Sequence, residues 1–173
     1  MKSIAAFKGQ QNPVLVDAIS PEPLSSNQVR CETVLLGICG TDREILHSLT
    51  PGCPENDDFL VLGHECLARV VETANDVDGL SRGDLVVPAV RRPTGVDASV
   101  IQRRVDMMPW GCYVERGIVG EHGFSLPTWN DQPDYLFHVP EHIADVAVLA
   151  EPISVSEKAV REAEQIQAAR LGD

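Results

Sequence analysis

The chain has 173 residues, 43% of them hydrophobic, which suits one domain with a real core or one domain and a piece of a second. Its formal charge is −12, from 14 basic and 26 acidic residues, and so acidic a chain repels phosphate backbones, which argues against a nucleic-acid partner. The opening stretch MKSIAAFKGQQN holds no long apolar run, so neither a signal peptide nor a membrane span is expected and a cytoplasmic location is.

Short strands between turns dominate the first 90 residues. PVLVDAI (13–19), QVRCETVLLGI (28–38), ECLARVVETA (65–74) and DLVVPAV (84–90) are β-rich runs, and NDVDGLSRG is turn material between the last two. Turn signals at roughly ten-residue spacing predict a mainly β, α+β domain built as a sandwich or barrel, not as βαβ units. Residues 91–133 show no sustained period and read as an irregular lobe of loops, a kind of segment that is often functional. DYLFHVP (134–140) returns as a strand. ISVSEKAVREAEQIQAARLGD (153–173) is the one convincing helix: Ser154 or Ser156 offers a cap, Gly172 a stop, and Ile153, Ala159, Val160, Ala163 and Ile166 an apolar face.

The five cysteines, Cys31, Cys39, Cys53, Cys66 and Cys112, are odd in number and contain no C-x-x-C pair. A disulfide framework is therefore not expected, nor is a four-cysteine zinc knuckle. Two stretches stand out instead. LGICGTDREI (36–45) sets Cys39 between glycines, and VLGHECLARV (61–70) sets His64 beside Glu65. Thiolate, imidazole and carboxylate are zinc donors, and a catalytic zinc takes three from the protein. The 25 residues between Cys39 and His64 are too many for a local knuckle, so separate strands would have to bring them together. Free cysteines are commonly small core hydrophobes, and spacing alone leaves both readings open.

GICGTDREI, GHE, GDLVV and EPISVSEKAV, in that order, resemble the zinc-dependent medium-chain alcohol dehydrogenases, and RRP, YVERGIVGEHGF and LAEPISVSEKA resemble their archaeal-type glucose 1-dehydrogenase branch. The resemblance implies a GroES-like, partly open β-barrel over residues 1–152, including the lobe 91–133, with a helix over 153–173 leading out of it. It implies that Cys39, His64 and Glu65 bind one catalytic Zn2+, with Glu151 reaching the metal directly or through water. It makes Thr41 the hydroxyl that moves the substrate's proton, and Glu115, Glu121 and Glu151 contacts to a sugar. Glu65 and Thr41 then carry the catalysis, and glucose would be oxidised at C1 to the lactone by an NAD(P)-dependent oxidoreductase.

Two departures from that family follow from the sequence. Residues 91–120 contain only Cys112 where the family's structural zinc needs four cysteines, so no structural zinc is expected. No G-x-G-x-x-G strand-to-helix turn appears, so no cofactor-binding residues are expected here; the substrate and zinc half, inactive alone, is. An apolar helix face left by a missing partner domain would favour a homodimer through residues 150–170. The competing readings are a non-enzymatic GroES-like binding or scaffold module, and the same half of a polyol, threonine or simple alcohol dehydrogenase.

Overall fold

Residues 29–37 and 65–73 carry the β-branched and apolar side chains that a two-sided sheet needs, and they form the pair of strands that organises the molecule. The structure is a computed structural model, and it describes residues 1–94 and 105–171. The strands are β1 (Lys2–Phe7), β2 (Val14–Asp17), β3 (Val29–Gly37), β4 (Phe59–Val61), β5 (Glu65–Thr73), β6 (Leu85–Pro88), β7 (Arg91–Pro93), β8 (Tyr113–Arg116), β9 (Gly120–Glu121), β10 (Thr128–Asp131) and β11 (Leu136–Val139). The helices are α1 (Gly40–Ser48) and α2 (Ala150–Leu171).

A five-stranded antiparallel sheet runs β10-β3-β5-β6-β11, a second sheet β2-β1-β4 and a third β7-β8-β9, and none closes into a barrel among the described residues. The mainly β class and an open rather than closed arrangement follow from this order. β5 is central and is buried on both faces. Its Cys66, Ala68 and Val70 join Val29, Cys31, Val86, Phe124 and Trp129 in the main core, while Leu67 turns to the opposite cluster with Leu85, Val87 and Val139. Burial pushes the thiols of Cys31 and Cys66 up, that of Cys66 to about 12, and all five cysteines are unpaired. These two act as core residues. No helix among the described residues is long and apolar enough to cross a membrane.

The reading of 91–133 as one irregular lobe needs correction. Its residues 95–104, like Gly172, lie outside the described residues. Within the rest, β10 is an edge strand of the main sheet, and its Trp129 is almost fully buried. The indole Nε1 donates to Thr33 Oγ1 at 2.9 Å, and its ring lies 4.6 Å from that of Phe124. Strands of two to four residues are too short to display a period. β1, β4 and α1 also escaped the sequence reading. In α1, Ile45 is the only buried apolar side chain.

The lobe is tied to the sheet by charge. Asp131 on β10 receives Arg92 Nη2 at 2.6 Å and Arg116 Nη1 at 3.2 Å, with all three side chains nearly buried. Arg116 also donates from Nε to the His122 carbonyl and lies over the rings of Phe124 and Trp129, so each nitrogen removed from water finds a partner.

α2 starts at Ala150, three residues earlier than the sequence suggests. Ser154 and Ser156 are interior residues whose hydroxyls donate back to the carbonyls of Glu151 and Pro152, and Pro152 is tolerated because it sits in the first turn. No residue of α2 is buried, and Ile153, Val160 and Ile166 are each more than half exposed.

Asp131→Ala leaves two buried guanidinium groups without their shared counter-charge. The expected loss is about 3–5 kcal/mol of stability, to be read from urea unfolding of the two proteins.

Candidate metal centre and substrate cleft

β3 ends at Gly37 and β5 begins at Glu65, and these two residues are direct partners in the antiparallel ladder. Register shifts near Arg30 and Thr33 cancel between the ends, so Val29 still faces Thr73 and Gly37 still faces Glu65. Cys39 lies two residues beyond the end of β3, and His64 lies one residue before β5. The ladder therefore brings the two motifs together across 25 residues of sequence.

Local geometry aims the side chains. Cys39 is the N-cap of α1. Its Sγ accepts the Thr41 N–H at 3.3 Å, and the Asp42 carboxylate accepts the Cys39 N–H at 2.9 Å, a capping box with sulfur in the usual hydroxyl position. The sulfur thus stands at the N-terminus of α1, where it satisfies one of the free backbone N–H groups. Cys39 Sγ lies 3.1 Å from His64 Nε2. The other ring nitrogen, Nδ1, is buried and lies 3.7 Å from Asp42 Oδ1, and neither atom has a hydrogen-bond partner among the described residues. A proton on Nδ1, facing this carboxylate, leaves the Nε2 lone pair turned toward Cys39. Asp42 is the functional residue that sequence reasoning missed. Its signal was the spacing of three from Cys39, which is the capping-box spacing.

The donor atoms of Cys39, His64 and Glu65 all lie within 4.8 Å of one another, the one group of three such donors among the described residues. The set suits zinc, which takes thiolate, imidazole and carboxylate donors and in catalytic sites three from the protein. The backbone is shaped around it. A Cβ on Gly37 would overlap the Glu65 carboxylate and come within 2.8 Å of Glu65 Cβ, so only glycine at 37 lets Glu65 lie there. Gly63, at φ +95, makes the turn that delivers His64.

The remaining predicted residues separate into three places. Thr41 lies in the first turn of α1 and donates its N–H to the capping sulfur of Cys39. Glu115 on β8 and Glu151 in the first turn of α2 line one cleft with Arg91 and Lys158. Burial pushes the Glu151 carboxyl up; His64 opposes the shift, and Glu65 and Glu115 add to it. Glu151 thus senses the donor group although it lies outside it. Glu121 is elsewhere. Its carboxylate is 3.6 Å from Arg116 Nε, beside the Asp131 network, and it is not among the residues lining the cleft. Burial pushes its carboxyl up, while Arg116 and Arg92 pull it down.

Comparison with known proteins fits this frame. The alcohol dehydrogenase GroES-like domain family matches residues 25–126, and the chain belongs to that family. It is 41% identical over 165 residues to the glucose 1-dehydrogenase of Haloferax mediterranei, an alignment covering 94% of this chain and 45% of that protein. It is 45% identical to glucose 1-dehydrogenase 1 of Haloterrigena turkmenica, again covering 94% of this chain and 45% of the relative. The solved structure of Haloferax mediterranei glucose dehydrogenase in complex with NADP, Zn and gluconolactone superposes with a TM-score of 0.88 at 39% identity, over 98% of this chain and 47% of that one. The chain spans about half the length of these relatives.

Two substitutions test the geometry. Gly37→Ala should displace Glu65 and weaken zinc binding at least ~10-fold, whereas Gly40→Ala, where an added Cβ meets nothing within 4 Å, should not. Asp42→Asn removes the carboxylate facing His64 Nδ1 and should weaken zinc ~10- to 100-fold. Competition with a chromogenic chelator reads both.

Proposed function

We propose that this chain is the zinc- and substrate-binding half of an NAD(P)-dependent sugar dehydrogenase that oxidises glucose at C1 to the lactone. The convergence of Cys39, His64 and Glu65 on one point carries the reading. It is supported by the identity to glucose 1-dehydrogenases and by the zinc, NADP and gluconolactone in the Haloferax mediterranei structure. In this reading the strands and α1 form the catalytic unit, and α2 leads out of it. Five unpaired cysteines suit a reducing cytoplasm.

Cys39, His64 and Glu65 would hold the metal, with Glu151 as a nearby second carboxylate. When bound, zinc is a Lewis acid that polarises the sugar's C1 hydroxyl and lowers its pKa. The chain's own residues do the rest. Asp42 keeps the His64 proton on Nδ1, and Glu65 supplies negative charge opposite the thiolate. Thr41, whose hydroxyl both donates and accepts, moves the C1 hydroxyl proton outward. Glu115 and Glu151 accept hydrogen bonds from the sugar's other hydroxyls and so orient the ring. Glu121, beside Arg116, has no part in this mechanism. Hydride acceptance is the chemistry a nicotinamide supplies, and we assign no residue of this chain to holding one.

Metal analysis after dialysis should find one zinc per chain, and Cys39→Ser should lose most of it. Glucose binding, followed by NMR titration, should appear only in the zinc-loaded protein. A wild-type chain that retains no metal, or a Cys39→Ser chain with unchanged content, overturns the assignment in favour of a non-enzymatic module.

A further inference from the structure

The cleft beside the metal-binding group contains one arginine whose donors are distributed in an informative way. Arg91 Nε donates to Glu115 Oε1 at 2.9 Å, and Nη2 stands at ion-pair distance, 2.9 Å, from the same oxygen. The second oxygen, Oε2, has no hydrogen-bond partner among the described residues, although the side chain is only 18% exposed. A carboxylate with one oxygen held against a guanidinium edge and the other without a protein partner is oriented, and its open oxygen accepts from water or from a ligand in the cleft.

Arg91 is itself fixed from three directions. Its Nη1 donates to the carbonyls of Val105 and Asp106, both at 3.2 Å. Its guanidinium lies 4.0 Å from the centre of the Tyr113 ring. The carbonyl of Asp106 also receives Lys158 Nζ at 3.0 Å, and Lys158 stands on α2 two turns beyond Glu151. The two cleft walls, β8 with Glu115 and α2 with Glu151, are thus joined through one short segment, and Arg91 is the joint. A pair needed only for stability could use the ordinary side-by-side fork, with one nitrogen to each oxygen.

We propose that Arg91 is a positioning residue that presents Glu115 Oε2 to one hydroxyl of the sugar and sets its distance from Glu151. This rests on the sugar-dehydrogenase reading above. Lysine cannot replace the arginine fully, because a single ammonium lacks the spread of donors that reaches Oε1 on one side and both carbonyls on the other.

The test is a coupling experiment on the zinc-loaded chain, with dissociation constants for glucose and each monodeoxy-glucose measured by NMR titration. Against wild type, one member of the series should bind ~10-fold or more weakly than glucose, the size of a hydrogen bond to a charged group. Arg91→Gln should weaken glucose by a similar factor and that same analogue hardly at all. Arg91→Lys should fall between, with zinc content unchanged; if Arg91→Gln does not fold, Arg91→Lys against the same series decides. Losses that multiply for every analogue, or variants that bind glucose as wild type does, overturn the role of Arg91 and leave the sugar reading intact. A wild-type zinc-loaded chain that binds no sugar of the series overturns both.

Discussion

The pairing of β3 with β5 is the constraint on which the site depends. In an antiparallel ladder a slip of one residue turns every side chain to the other face, and the two local shifts here cancel before the ends. Here the ladder is pinned along nine-residue strands, because β5 is buried on both sides and no other phase keeps Cys66, Ala68 and Val70 in one core and Leu67 in the other. The same register that packs the core sets Gly37 opposite Glu65. Core packing and site geometry are therefore one fact, and the absent side chain at residue 37 is what lets a carboxylate occupy the crossing.

Around that crossing the polar groups form connected sets. The capping box of α1 serves the helix and the site together, since Asp42 uses one oxygen for the Cys39 N–H and turns the other toward His64. The charges of the lobe divide by role. Arg92, Arg116 and Asp131 are buried and fasten β7 and β8 to β10, while Arg91 and Glu115 stand at the cleft. Neighbouring arginines on one strand point to opposite sides, so the pair Arg91-Arg92 serves the cleft with one member and the core with the other.

Several features were legible in the chain because their cause is local. The β-rich runs at 28–38 and 65–74 carry their own propensity and became β3 and β5 nearly to the residue. The glycine-flanked Cys39 and the Gly-His-Glu run announced unusual chemistry. Other features were illegible because their cause is distant. β10 reads as loop because half of its Thr-Trp-Asn-Asp run is Asn and Asp, which are poor strand formers, and only its place beside β3 makes it sheet. α1 has a thiol cap and one buried apolar residue, so neither its start nor its face resembles a helix in sequence. Glu115 and Glu121, six residues apart, read alike in the chain, yet one stands in the cleft with Glu151 and the other beside Arg116.

The sequence by itself determined the kinds of groups available: a thiol, an imidazole and several carboxylates beside small residues, in an acidic chain rich in short strands. Tertiary structure decided which of them meet. Composition and propensity act over a few residues, whereas donor atoms separated by 25 positions in the chain come within 4.8 Å only because one strand register, fixed by burial on both sides of β5, leaves them nowhere else to go.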